Sequence, residues 1–267
     1  MEFSSSGAPM TAADLDRATT MLRCEPAALW ALLAVETSGA GFLPDRRPKL
    51  LFERHYFSRL TEGRFDTLDP DISAATPGSY GPAGAHQYDR LQAALLLDRP
   101  AALESASWGI GQITGAAFKT AGYSDVETLV ADCVGGEGAQ LVCLARFLVS
   151  TGLATALRDR NWTQLARGYN GPDYAANHYD SRLASSHQTF VDAGPPDLDV
   201  RAAQLGLSYR AWPVRVDGRL GPSTRAALAD YQAREGLPVT RTADAATLAR
   251  LFEVEPGRAS PALRATP

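Results

Sequence analysis

No apolar run in this 267-residue chain approaches the ~18 residues that a membrane-spanning helix needs. Positive charge is not in excess either: 26 Lys and Arg against 30 Asp and Glu leave a formal charge of −4. The chain as a whole therefore lacks the electrostatic footprint of a nucleic-acid-binding protein. Cysteine is scarce. Cys24, Cys133 and Cys143 are an odd number at no metal-like spacing and are expected as reduced, mostly buried side chains. Histidine is scarce too (His55, His86, His178, His187), H-E-x-x-H is missing, and no His has a Cys or Asp companion at ligand spacing. That argues against a zinc amidase or peptidase, and no metal or other cofactor is implied. G-x-S-x-G is missing as well, so nothing supports a serine hydrolase. The opening M-E-F-S-S-S-G-A-P has neither the basic nor the apolar region of a secretory signal. Residues 1–10 read as a disordered cloning scar with Met10 as the natural start, and the expectation is a monomer made in a cytoplasm.

What is present is an ordinary globular composition, 45% hydrophobic and 21% charged, with length for one large core and one small one. Apolar spacing predicts a helix from Thr11 to Leu22 and a second from Pro26, where proline suits the first helical position. Leu29, Trp30, Leu32, Leu33 and Val35 make that second helix apolar all round, hence buried, and Thr37-Ser38-Gly39 should close it. From Gly41 to Gly84 the chain reads as loops around one short helix or strand within Lys49–Leu60. Helices are expected again over 88–97, 116–120, 126–132, 138–150, 154–160, 163–168 and 179–191. Without strand alternation or a βαβ pattern, the unit spanning 11–191 should be mainly α. Asp192–Asp197, with Gly-Pro-Pro inside it, reads as a short stiff linker. Residues 198–254 then hold two imperfect half-units, Pro213–Leu228 and Gly236–Leu251, each with a Thr (Thr224, Thr247) placed to cap a short helix. Residues 255–267 read as a disordered tail.

Three segments carry chemistry. Cleaving a glycosidic bond requires a protonated acid at the leaving oxygen, and a carboxyl serves near neutral pH only if burial raises its pKa. Glu36 ends a nearly all-apolar helix and meets that requirement, although a lone glutamate could equally terminate a helix in solvent. Ala106–Ile113 (A-S-W-G-I-G-Q-I) offers Gly109 and Gly111 for close backbone approach and Gln112 as a neutral donor and acceptor. Ala166–Tyr174 (A-R-G-Y-N-G-P-D-Y) is a polar-aromatic turn suited to a sugar ring. The alternatives are a helix–helix turn and an ordinary Asn-Gly loop.

A-V-E-T-S-G, S-W-G-I-G-Q-I and A-R-G-Y-N-G-P, in that order, resemble the motifs of goose-type lysozymes and lytic transglycosylases. More closely, Thr11–Phe190 resembles the N-acetylmuramidase family of phage endolysins, through G-F-L-P-D-R-R-P-K-L-L-F-E-R-H-Y-F and R-G-Y-N-G-P-D-Y-A-A-N-H-Y-D besides the middle motif. The resemblance implies a lysozyme-like catalytic domain, bacterial peptidoglycan as partner and substrate, and Glu36 as the catalytic glutamate. Gln112, Tyr169 and Asn170 match positions lining the sugar cleft, and Trp108 and His55 are further substrate-contact candidates. Thr37 replaces the serine that follows the glutamate in transglycosylases and keeps its hydroxyl. For a second carboxylate Glu53, in L-L-F-E-R-H-Y, comes first. A structural pairing with Arg54 is its alternative, and Asp45, Asp66 and Asp69 are weaker candidates. Hydrolysis then competes with transglycosylation, which needs Glu36 alone and leaves a 1,6-anhydro end, and with a wall-binding protein whose catalytic domain is dead.

The C-terminal unit, D-G-R-L-G-P-S-T followed by A-A-L-A-D-Y-Q and G-L, resembles the three-helix peptidoglycan-binding module. Asp217, Gly218 and Gly221 are the expected ligand-loop residues, with a purely helix-capping turn as the alternative. In the second half-unit T-R-T-A-D replaces the usual glycine-rich loop. Such a module would concentrate the enzyme on an insoluble polymer.

Overall fold

The first two helices differ in kind. α1 (Ala12–Leu22) is capped by Thr11, whose hydroxyl accepts the Asp14 N–H while Asp14 accepts the Thr11 N–H, and it buries one stripe. α2 (Pro26–Thr37) has no solvent face, so the rest of the unit must wrap it. In the computed structural model, which describes residues 2–253, Leu29, Trp30, Leu32 and Leu33 are fully buried. The wrapping helices are α3 (Arg54–Leu60), α4 (His86–Leu97), α5 (Arg99–Glu104), α6 (Val126–Gly135), α7 (Glu137–Ser150), α8 (Leu153–Arg158), α9 (Trp162–Asn170) and α10 (Tyr179–Ala193). α10 lies along α2, and α1 along α7. The three thiols are free, with Cys133 and Cys143 buried and Cys24 half-buried. No helix among the described residues is long and apolar enough to cross a membrane. The expected tail, 255–267, lies outside the described residues.

The mainly helical expectation holds, with two corrections. A small antiparallel sheet, β1 (Leu50–Phe52), β2 (Ala106–Trp108) and β3 (Ile113–Thr114), pairs Leu50 with Trp108 and Trp108 with Ile113. The middle motif is therefore a hairpin rather than a helix–helix turn. Strands of two or three residues buried on nearly every side show no alternation to read. The hairpin turn needs its glycine: Gly109 has φ +70°, and a Cβ there would lie 2.6 Å from the Gln140 side chain.

The second correction is the N-terminus. Residues expected as a disordered scar are packed: Phe3 sits against Tyr88 and Trp108, Met10 is buried, and the Gly7 carbonyl accepts the Tyr209 hydroxyl.

The small unit contains α11 (Leu198–Ser208), α12 (Pro222–Arg234) and α13 (Ala245–Phe252) around Ala203, Leu207, Leu228, Tyr231 and Leu251. Its two loops are organised alike, each by one buried glutamine. Gln204 Nε2 donates to Asp217, to the Arg219 carbonyl and to Thr224, and its Oε1 accepts the N–H groups of Asp217 and Gly218. Gln232 repeats this in the second loop, donating to Thr240, the Thr242 carbonyl and Thr247 and accepting from Arg241 N–H. The threonines thus serve the glutamines. The N-caps are Gly221 and Asp244, a correction to the expected Thr224 and Thr247. Arg241, at φ +60°, holds the left-handed position that Gly218, at φ +67°, fills in the first loop, so the repeat survives in geometry where its sequence has decayed.

The linker does not separate the units. Arg201 of α11 is 1% exposed and Glu137 of α7 fully buried, and they form a bidentate pair with both N–O distances 2.6 Å. Arg201 Nε also donates to the Gly39 carbonyl at 2.9 Å. The Glu137 carboxylate further accepts the N–H groups of Met10 and Gly41. Phe42 packs with Leu205 and Tyr209 beside it. The small unit is therefore fastened to the segment directly following Glu36.

Candidate active site

Glu36 is the penultimate residue of α2, which closes through Ser38 and Gly39, both with positive φ, after the N–H groups of Ser38 and Gly39 reach back to Ala34 and Leu33. Burial raises the Glu36 pKa. Opposing it are a hydrogen bond from Asn170 Nδ2 to Glu36 Oε1, at 3.1 Å, and the charge of Arg182. Desolvation dominates, so the carboxyl is biased toward its protonated form. With Oε1 accepting from Asn170, Oε2 is the better seat for the proton.

The three motifs converge here. Asn170 ends α9 and Tyr169 precedes it, with the Tyr169 hydroxyl donating to the Gly111 carbonyl of the β2–β3 turn. Burial, then the Glu36 charge, push the Tyr169 phenol well above its ordinary range. The Thr37 hydroxyl is shared between the carbonyls of Leu33 and Ile110, locking the end of α2 to the same turn. Gln112 spends its amide N–H groups on the carbonyls of Gly109 (2.9 Å) and Lys49 (3.3 Å), bracing that turn. Trp108 is 1% exposed, with its indole donating to the Leu103 carbonyl. Its place is the core, a correction to its selection as a substrate contact: the bulk that fills the sheet's underside leaves no face for a sugar.

Glu53 precedes α3 without capping it, so its carboxyl is not used by its own helix. Arg54 donates to the Pro70 carbonyl, so the alternative of a structural Glu53–Arg54 pair is not formed. The nearest charge-capable neighbour is His55, with Nδ1 3.7 Å from Glu53 Oε2, beyond hydrogen-bond reach. Burial raises Glu53, and burial together with Arg59 lowers His55. The weaker aspartates are committed elsewhere. Asp45 pairs with Arg47, Asp66 accepts the hydroxyls of Ser58 and Ser73, and Asp69 accepts the Asp71 N–H.

Three residues passed over in the sequence act on the two carboxyls or their neighbours. Arg182 acts on Glu36 and stacks over Tyr179, 5.1 Å from its ring centre. Tyr80 is raised by burial, then by Glu53 and Tyr179. Arg182 and Tyr179 thus belong to the surroundings of Glu36, and Tyr80 feels the charge of Glu53. The only sequence signals were aromatics within a Gly-Pro loop and at the start of a helix. Two buried atoms on this surface have no hydrogen-bond partner, Asn170 Oδ1 and His55 Nδ1. Unsatisfied buried polar atoms are costly, and at a site they mark where a ligand or water completes the bonding.

In the small unit, Asp217 Oδ1 accepts from Gln204 and from the Arg219 N–H, building the turn. Gly218 is required for packing, since a Cβ would lie 2.5 Å from Pro196. Gly221, by contrast, faces open space. Among the described residues no group of three His, Cys, Asp or Glu side chains could hold a metal ion.

The N-acetylmuramidase family model matches residues 25–191, and a peptidoglycan binding domain model matches residues 196–251. Among solved structures, a Burkholderia AP3 phage endolysin is similar, with 37% identity and a TM-score of 0.63 over 69% of this chain and 72% of that one. No curated protein matches. The matched span holds Glu36, Asn170 and the hairpin turn, and the chain belongs to the N-acetylmuramidase family of peptidoglycan-acting glycosidases, joined to a peptidoglycan-binding domain.

Proposed function

We propose that this protein is an endolysin that hydrolyses the β-1,4 bond between N-acetylmuramic acid and N-acetylglucosamine in peptidoglycan, with Glu36 as general acid. The observation that carries this reading is Glu36 itself: a desolvated carboxyl with a raised pKa, held by Asn170 at the meeting point of three motifs. Burial keeps the proton on, and the glycosidic oxygen receives it as the bond breaks. The enzyme is made in a cytoplasm and reaches the wall after release, where the small unit adds contact with the polymer. Purified sacculi incubated with the protein should clear and gain new reducing ends. Sacculi that stay turbid would contradict the reading.

Glu53 is the proposed base. An inverting mechanism would set the two carboxyls ~6.5–9.5 Å apart with water between. The base must be ionised while the acid is protonated, so activity falls below the Glu53 pKa and above that of Glu36. Burial raises both, which shifts the whole bell to higher pH than two ordinary carboxyls would give. Glu53→Gln should lower kcat/KM at least ~100-fold and remove the acidic limb. It should leave stability within ~1 kcal/mol. A variant that keeps its rate, or loses stability instead, makes Glu53 structural.

A further inference from the structure

A trough runs between the two units, starting within a turn of the acid. Its narrower part, about 280 Å3, is lined by Trp30, Ala34 and Phe190 of the large unit and by Pro196 and Val216. A more open part continues it past Ala34, Val35 and Ser181. Ala34, two residues before Glu36, faces the other side of α2, so the link from trough to acid is Arg182, which lines the open part and whose charge acts on Glu36. α10 presents two adjacent ridges to this trough, Arg182-Ser186-Phe190 and Ser181-Ser185-Thr189, each at four-residue spacing on the helix.

Its charge comes from both units. Arg182 sits at the open end, with one guanidinium nitrogen donating to the Val35 carbonyl. Arg215 lines both parts and its side chain is 80% exposed. Arg219, from the loop that Gln204 organises, is held at the narrower end by the Ala193 and Gly194 carbonyls. Arg201, also in the lining, is neutralised by Glu137. Asp217 is at the rim, with Oδ1 occupied by the Gln204 and Arg219 N–H groups. Arg215 Nε stands 4.0 Å from Asp217 Oδ2, a loose and exposed pair, so three arginines against one aspartate leave a net positive lining. With hydroxyls along one wall, it suits an extended ligand bearing several carboxylates.

We propose that this inter-unit trough binds the acidic peptide stem of peptidoglycan. The inference rests on the muramidase reading. A stem leaves the muramic acid, one of the two sugars flanking the scissile bond, and a four-residue stem reaches ~13 Å when extended. A glycan placed for proton transfer from Glu36 therefore delivers its stem to the Arg182 end of the trough. The small unit thus adds a wall to the substrate site as well as a hold on the polymer, and the buried Arg201–Glu137 pair fixes that wall in place.

The test is titration of the full-length protein with a soluble tetrapeptide stem carrying free carboxylates, then with its amidated form. Arg215→Glu should raise the Kd for the acidic stem about tenfold, and amidation should do the same with the wild type. Unchanged unfolding temperature would show that the variant is folded. In a parallel arm, Arg215→Glu should lower the ratio of kcat/KM on stem-bearing glycan to that on stem-free glycan by a similar factor. No binding of the acidic stem, or equal Kd values across the four combinations, would overturn the proposal. The peptide arm involves no bond cleavage. Failure there is distinct from failure of the muramidase reading, which would show as no turnover of either glycan.

Discussion

Arg201→Met should unfold about 10 °C below the wild type while showing one cooperative transition. Glu137 is fully buried and its carboxylate meets the Arg201 guanidinium in a bidentate contact. Removing one partner of such a pair strands a charge without solvent, a loss of about 3–5 kcal/mol. For a chain of this size each kcal/mol moves the midpoint by roughly 2–4 °C. Glu137→Gln combined with Arg201→Met should recover most of the loss, because no ion is then stranded. The same junction changes the expectation for truncation. The linker composition predicts an independent large domain ending near Asp192. Yet that cut removes Arg201 and uncovers Phe42, which packs with Leu205 and Tyr209. The fragment should be destabilised at least as much as Arg201→Met. A fragment with wild-type stability would show that the junction contributes nothing.

Glu36→Gln should abolish wall lysis with the fold intact, lowering kcat/KM by about 10²–10⁴-fold, the usual contribution of a positioned acid. Glutamine keeps the shape and an oxygen to accept the Asn170 N–H, so the local bonding survives while the transferable proton is gone. Removing Asn170 or Arg182 acts in a different way. Both lower the Glu36 pKa, so their loss lets burial raise it further. The alkaline limb of kcat/KM, which reports deprotonation of the acid, should then move to higher pH in Asn170→Ala. Clearing of sacculi by Glu36→Gln at more than about a tenth of the wild-type rate would remove Glu36 from the role.

Glu36 was legible as the candidate acid because its helix is unusual: a run apolar on all sides that ends in a carboxylate leaves that group little choice but partial burial. Asn170 and Tyr169 were legible through the motif spacing. Roles within the motifs were less so. Gln112 and Trp108 look alike as polar or aromatic site residues in the sequence, yet one braces a turn and the other fills the core. Contacts across 58 or 63 positions, such as Tyr169 to Gly111 and Gln112 to Lys49, leave no local periodicity. The same holds for the junction. Gly-Pro-Pro correctly marks a change of unit, but whether two units touch depends on Glu137 and Arg201, which are 64 residues apart. A buried arginine reads from its type alone as a surface residue. Glu53 stood out as a candidate second carboxylate only by its odd place in an apolar segment. Of its neighbours, His55 is local but Tyr80 comes from a separate stretch.

Mass spectrometry of soluble fragments from purified sacculi, digested by the wild-type protein, tests the central claim most directly. Hydrolysis by Glu36 with an activated water predicts fragments that end in reducing N-acetylmuramic acid with their peptide stems intact. Fragments ending in 1,6-anhydromuramic acid, or stems released from uncut glycan, would contradict it.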